Sequence, residues 1–292
     1  MTDIESSPRS RFSIGGLVLL QPLDLVIGVL VLLFFLGSAV LHGGDVGMSL
    51  AGGLLIMLVM FTVGAAIEVI IESLRDLPGL GTVVGFITNG PEALCLVVGL
   101  LAADDIVYAA STPLGSNFMN PLMLAAAGLI TGGLGASLGR HRLWAGLTLV
   151  TTMAVAGLFF APWLPGLWWW AGTAAALGGV RFWLRPGDPA EDDGAGAFRR
   201  WHAIPAGALL VGAGYFLDPV VTLTATASHA PKGVIGFVVL ASLTSWPEFR
   251  SCLTLLRRGR RTSAMLNITV SNITNLWLAA AGVVYYLLRH AG

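Results

Sequence analysis

Two stretches of the chain carry the same polar residues in the same order: a Thr, a Pro-Glu pair, and then a Ser-Asn-x-x-Asn block. The residues of the first stretch are Thr88, Glu92, Ser116, Asn117 and Asn120, and those of the second are Thr244, Glu248, Ser271, Asn272 and Asn275. The two glutamates are 156 residues apart and the two serines 155. A carboxylate in apolar surroundings is costly, and here the cost is incurred twice at matched places. The pattern predicts an internal repeat built around a site.

Each glutamate follows a proline, which has no N–H to donate within a helix. The carbonyls of Ile87 and Leu243, four residues before Pro91 and Pro247, therefore lose their helical partner and need a donor, a water or a cation. The Thr and the Glu of each stretch share one helix face. Carboxylates, hydroxyls, amide oxygens and loose carbonyls are hard ligands that suit Ca²⁺ or Na⁺. Because one divalent ion, several monovalent ions or protons could each balance the two charges, the inventory favours antiport.

The composition is that of a membrane protein. Apolar residues make up 55% of the 292-residue chain and charged residues only 11%, and the mean hydropathy is +0.81. The formal net charge is zero, so nothing suggests a nucleic-acid partner. The two cysteines, Cys95 and Cys252, are interpreted as packing residues. No sequence signature of an enzyme and no cofactor motif stands out, so we expect a chain without catalytic residues.

Nine apolar spans are predicted, so the expected fold is an all-α, polytopic membrane protein. They lie at about residues 23–41, 49–74, 78–102, 105–132, 143–161, 165–184, 203–228, 233–256 and 263–288. The expected organisation is a tail with an extra transmembrane helix (1–48), a first half (49–184) with a repeat at about 76–132, a cytoplasmic linker (185–202), and a second half (203–292) with a repeat at about 232–289.

The basic residues orient these spans. With the amino terminus inside, thirteen arginines fall on the inner side, while Lys232 and Arg289 fall outside. The spans that carry Glu92 and Glu248 are the third and the eighth, so they cross in opposite directions. The repeats are therefore predicted to have inverted topology, which brings paired sites together near the middle of the bilayer.

Both stretches resemble the repeats of the cation/Ca²⁺ exchanger superfamily, which includes the sodium/calcium and proton/calcium exchangers. The family pattern is G-[TS]-S-[LA]-P-E, followed later by G-N-x-x-G-S-N-x-x-[ND]. The matching residues are Thr88, Pro91, Glu92, Gly115, Ser116, Asn117 and Asn120 in the first half, and Gly236, Thr244, Ser245, Pro247, Glu248, Asn267, Ser271, Asn272 and Asn275 in the second. Ile87 and Leu243 stand where the motif has Gly, and Asn89 stands where it has Ser.

The resemblance implies a secondary antiporter that exchanges Ca²⁺ for Na⁺ or H⁺ by alternating access. It implies Glu92 and Glu248 as Ca²⁺ carboxylates, Thr88 and Thr244 as donors of backbone oxygens, and Ser116, Ser245, Ser271, Asn120 and Asn275 as residues that complete Na⁺ sites or line the path. The expected location is a prokaryotic plasma (inner) membrane with the amino terminus in the cytoplasm. A passive cation channel and a transport-inactive membrane scaffold stay open as alternatives.

Other features of the sequence bear on this reading. The second half stops after three spans, so the first span or a second copy of the chain is expected to cover its flank, and a homo-oligomer stays open. Arg250 is predicted to point away from Glu248 and to extend toward the inner surface. Glu68 and Glu72 are expected at the membrane interface. For Asp218, in mid-span before Pro219, the roles of proton carrier and of second site stay open.

Overall fold

The apolar spans fold as helices. The computed structural model describes residues 13–14, 17–18, 22–102, 105–133, 141–161, 166–188, 198–230, 243 and 245–291. The helices are α1 (Pro22–His42), α2 (Val46–Ser73), α3 (Leu80–Ile87), α4 (Gly90–Ala102), α5 (Ile106–Thr131), α6 (Arg142–Phe159), α7 (Leu167–Trp183), α8 (Ala203–Ala227), α9 (Trp246–Arg257) and α10 (Arg261–His290). Two antiparallel strands of two residues each, β1 (Ser13–Ile14) and β2 (Leu17–Val18), precede the helices. The predicted all-α class is confirmed.

The predicted count of nine membrane spans is only roughly supported. Six of the described helical segments are long and apolar enough to cross a membrane, and one of them joins α3 to α4. The helix α5 is long enough, but two prolines and its Ser-Asn-x-x-Asn block lower its hydropathy. The helices α7 and α9 are short, with 17 and 12 residues. The residues that the repeat needs for its site thus weaken the hydropathy signal of the helices that carry them.

The first helices of the two halves, α2 and α8, run antiparallel along each other. At one end, the Asp45 N–H donates to the Ala227 carbonyl (2.8 Å), and at the other Arg200 pairs with Asp76 (2.8 Å). The hydrogen bond from Arg200 lowers the pKa of the exposed Asp76 carboxyl. Opposite directions for equivalent helices are what an inverted repeat requires.

The helix α10 runs through the centre of the bundle. All residues from 263 to 276 are buried, so this helix is covered on every face along that stretch. It packs against α3, α5, α6, α7 and α9. The second repeat therefore supplies the central element, around which helices of the first repeat are arranged.

The contact between α3 and α10 depends on glycines. A Cβ added to Gly81 would collide with the backbone of Ser263, and one added to Gly85 would lie 2.6 Å from the carbonyl oxygen of Asn267. Such close approach of backbones is how membrane helices gain packing without a hydrophobic driving force between them. It holds the Thr88 end of α3 against the Ser-Asn block of α10.

Substitution Gly81→Ala is expected to destabilise the protein. Since the new methyl group meets backbone rather than a movable side chain, the free energy of unfolding should fall by about 1–3 kcal/mol. Thermal unfolding of the purified protein in detergent measures this. In the matched control Gly212→Ala on α8, where a Cβ meets nothing within 4 Å, stability should stay or rise. Equal midpoints for the two variants would contradict the close packing of α3 on α10.

Candidate cation site

The two glutamates occupy equivalent helix starts. Glu92 lies in the first turn of α4 and Glu248 in the first turn of α9. Proline is favoured at such starts because its missing N–H has no partner there anyway, and the positive end of the helix dipole favours a carboxylate. Both side chains are buried, with 2% and 0% of their surface exposed. The sequence thus ends α3 at Ile87, before Glu92, and places each glutamate at the start of a helix.

Each glutamate faces the serine of its own repeat. Ser116 on α5 donates to Oε1 of Glu92 (3.3 Å), and Ser271 on α10 lies 3.5 Å from Oε1 of Glu248. The two pairs are related by the repeat, since both the glutamates and the serines are at matched positions. The same hydroxyl–carboxylate contact is therefore built twice.

A bridge of side chains joins the two half-sites. Asn120 of the first repeat donates to Ser271 Oγ (3.0 Å) and to Asn272 Oδ1 (2.8 Å) of the second. Ser116, the partner of Glu92, and Asn120, a partner of Ser271, share one face of α5, so the contacts run from Glu92 across α5 to Ser271 and Glu248. The two acidic groups, from halves that run in opposite directions, thus meet in one buried polar cluster.

Asn89 is part of this bridge, although the sequence analysis treats it only as a departure from the family pattern. Its Nδ2 donates to the carbonyls of Gly85 (2.9 Å) and Ser271 (3.1 Å), and its Oδ1 accepts from Ser271 Oγ (2.9 Å). Asn89 occupies the position that Ser245 holds in the other repeat. That equivalence was the signal that could have identified it.

Several buried oxygen atoms of the cluster make no hydrogen bond to any residue that the structure describes. They are Glu92 Oε2, Glu248 Oε2, Thr88 Oγ1, Asn120 Oδ1, Ser245 Oγ and Asn275 Oδ1. A buried acceptor without a partner costs about 1–3 kcal/mol, and more when it is charged. A hard cation would satisfy carboxylate and amide oxygens together. The donor set therefore fits a cation such as Ca²⁺ or Na⁺.

Three residues of the predicted cation site remain, namely Ser245, Asn275 and Thr244. Ser245 and Asn275 are fully buried; Ser245 directly precedes α9, and Asn275 lies about one turn after Ser271 on α10. Thr244 lies outside the described residues. Among the residues that the structure describes, no group of three or more Asp, Glu, His or Cys side chains could hold a metal ion. The charge of the cluster thus rests on Glu92 and Glu248, with neutral oxygens around them.

Further polar residues form hydrogen bonds with the asparagines of α10. Asn272 donates to the carbonyl of Asn117 (3.2 Å) and to Thr152 Oγ1 on α6 (3.2 Å). Asn267 donates to Ser251 Oγ (2.8 Å), which itself donates to carbonyls of α9. Sequence reasoning missed Thr152 and Ser251 because single hydroxyl residues in membrane helices are common and carry no motif.

Arg250 does point away from Glu248, but the prediction that it extends to the inner surface is wrong. It is completely buried and pairs with Asp24 (Nε to Oδ1, 3.2 Å) and Glu68 (Nη1 to Oε1, 3.0 Å). Glu68, expected at the membrane interface, is only 3% exposed because it pairs with Arg250 and Arg258, and its depth in the bilayer stays a prediction. Carboxylates from two other helices provide a buried partner that the local sequence around Arg250 does not reveal.

Part of the chain and its fold resemble known proteins. Residues 202–288 match the family model described as sodium/calcium exchanger protein. No curated protein matches the chain significantly. The structure resembles that of the sodium–calcium exchanger NCX_Mj soaked with 10 mM Na⁺ and zero Ca²⁺, with a TM-score of 0.52, 19% sequence identity, and coverage of 82% of this chain and 83% of that one.

A second structure of the same exchanger, soaked with 2.5 mM Na⁺ and 0.1 mM Sr²⁺, gives a TM-score of 0.49 at 20% identity, over 82% of this chain and 81% of that one. The family model in the second half and the fold of the first structure agree with the motif reading. The resemblance to the cation/Ca²⁺ exchanger superfamily is therefore confirmed.

Loss of the bridge between the repeats is expected to weaken the fold. In Asn120→Ala, Asn272 Oδ1 loses the described donor that reaches it from α5, so the free energy of unfolding should fall by about 1–3 kcal/mol. Thermal unfolding in detergent measures this. Thr151→Ala is the control, because that hydroxyl bonds only carbonyls of its own helix among the described residues. An Asn120→Ala protein as stable as this control would argue against the bridge.

Proposed function

We propose that this integral membrane protein is a secondary cation antiporter that exchanges Ca²⁺ for Na⁺ or H⁺ by alternating access. The observation that carries the proposal is the single buried polar cluster that holds Glu92 and Glu248, each from one of two oppositely directed repeats, in which one oxygen of each carboxylate has no donor among the described residues. The fold and the family match of residues 202–288 support it.

The chemistry of the site explains why binding would be exclusive. Glu92 and Glu248 would hold Ca²⁺, with oxygens of Thr88 and Thr244 beside them. Ser116, Ser245, Ser271, Asn120 and Asn275 would complete Na⁺ sites or line the path. Because two buried carboxylates need about two positive charges, Ca²⁺ and its competitors would replace each other rather than bind together. Such competition is what couples the flux of one ion to that of another.

The contacts of Arg250 support a divalent substrate. A free guanidinium two residues after Glu248 would cancel one of the site's negative charges. Here its charge is instead balanced by Asp24 and Glu68 on the far side of α9. Two carboxylates therefore remain available to the cation, and the attraction for a divalent ion is about twice that for a monovalent one.

The setting of the proposal follows from the arginine distribution. Thirteen arginines on one side predict a cytoplasmic amino terminus. The proposal places the protein in the plasma membrane of a prokaryote, with inorganic cations as substrates. The path of these cations across the membrane would pass the carboxylate pair.

Transport in liposomes tests the proposal. Purified protein with an imposed Na⁺ or pH gradient should drive uptake of radioactive calcium, and Glu92→Gln and Glu248→Gln should each reduce the uptake by about a hundredfold or more, because each removes a charged ligand. Asp105→Asn is the matched control. It removes one exposed carboxylate but keeps a residue that can cap α5, so uptake should be unchanged.

The same experiment separates antiport from the alternatives. Calcium uptake that persists without any counter-ion gradient would indicate a channel, and its absence under every gradient would indicate a scaffold. Full activity in either glutamine variant would overturn the assignment of the site.

A further inference from the structure

A second polar cluster lies behind the cation site, on the opposite face of α9. Arg250, Thr254 and Arg258 follow each other at intervals of four residues, so their side chains lie on one face of α9 and its C-terminal end. All three contact Glu68 of α2: Oε1 accepts from Arg250 Nη1 (3.0 Å) and Thr254 Oγ1 (2.9 Å), and Oε2 accepts from Arg258 Nη2 (3.0 Å). One carboxylate of α2 therefore holds α9 at three successive turns.

The helix α1 adds a second carboxylate to this cluster. Asp24, which is 2% exposed, pairs with Arg250 Nε at 3.2 Å. Gly64 of α2 leaves room for the contact, because a Cβ there would lie 3.3 Å from Arg250 Nε and 3.9 Å from Asp24 Oδ2. The helix α1, which lies outside both repeats, thus reaches α9, whose first turn carries Glu248.

The first repeat has no equivalent cluster. At the offset of 156 residues that relates Glu92 to Glu248, the positions of Arg250, Thr254 and Arg258 correspond to apolar residues, namely Leu94, Val98 and Ala102. Burying charged groups is costly even when they are paired. The fold of the repeat does not require this cost, because the first repeat folds without it. The cluster must therefore serve something specific to the Glu248 half.

We propose that Asp24 and Arg250 are positioning residues for Glu248. Arg250 and Glu248 lie two residues apart and project from nearly opposite faces of α9. Anchoring Arg250 between α1 and α2 fixes the rotation and height of this short helix, and with it the direction in which the Glu248 carboxylate enters the site. The proposal rests on the proposed function and adds that α1 sets the cation affinity of one half-site.

The test is the calcium dependence of exchange by the full-length protein in liposomes. Asp24→Asn should raise the half-saturating calcium concentration about threefold to tenfold, the size expected for a directly coupled pair, and leave the maximal rate near that of the wild type. Asp24→Glu keeps the charge and should recover most of the affinity. Asp76→Asn is the matched control, since it removes an exposed partner of Arg200 and should leave the calcium dependence unchanged.

A double-mutant cycle tests the pairing itself. Arg250→Gln alone, and Arg250→Gln combined with Asp24→Asn, should raise the half-saturating concentration to a similar extent, because the second change removes a partner that is already lost. Effects that multiply would overturn the proposal, and so would a calcium dependence of Asp24→Asn equal to that of Asp76→Asn.

Thr254→Val provides a milder variant in case the charge variants do not accumulate. It keeps the volume of the side chain but removes its hydrogen bonds to Glu68 (2.9 Å) and Arg250 (2.7 Å), so a smaller rise in the half-saturating concentration is expected. An unchanged value would count against the proposal. Wild-type protein without any exchange would instead reject the proposed function, which keeps the two failures apart.

Discussion

Burial of negative charge within an apolar bundle is the constraint on which the structure depends. A carboxylate that leaves water loses strong solvation, and this loss must be offset by hydrogen bonds, by a paired cation or by a bound ion. The chain meets the constraint in two ways. Glu68 is paired by arginines, whereas Glu92 and Glu248 keep oxygen atoms without a donor in the part of the chain that the structure describes. Paired carboxylates hold helices together, and open ones are suited to exchangeable cations.

The inverted repeat explains how two acidic groups can meet without excess strain in the backbone. Each glutamate stands at a helix start created by a proline, where missing backbone hydrogen bonds cost little and the helix dipole favours the charge. Each also faces the serine of its own repeat, at 3.3 and 3.5 Å. Asn120 and Asn89 then tie the first repeat to Ser271 of the second. The site is thus a product of both halves, and neither contains it alone.

The two halves nevertheless differ in their support. The Glu248 helix is held from behind by buried ion pairs to α1 and α2, whereas the Glu92 helix presents apolar residues at the equivalent positions. The two carboxylates thus stand on helices that differ in their contacts with the rest of the bundle. The alternating access that we propose needs one part of the bundle to move relative to another. The ion pairs on α9, whose positions correspond to apolar residues on α4, are compatible with that requirement.

The sequence alone determined the membrane class, the repeat and the helix starts, because these depend on local composition, on proline and on matched spacing. It also indicated which residues could bind a cation. The partners of Arg250 and the roles of Asn89 and Thr152 were decided only by tertiary structure, because Asp24, Glu68, Ser271 and Asn272 come from distant parts of the chain. Local spacing fixes which residues share a helix face, but not which other helix that face will meet.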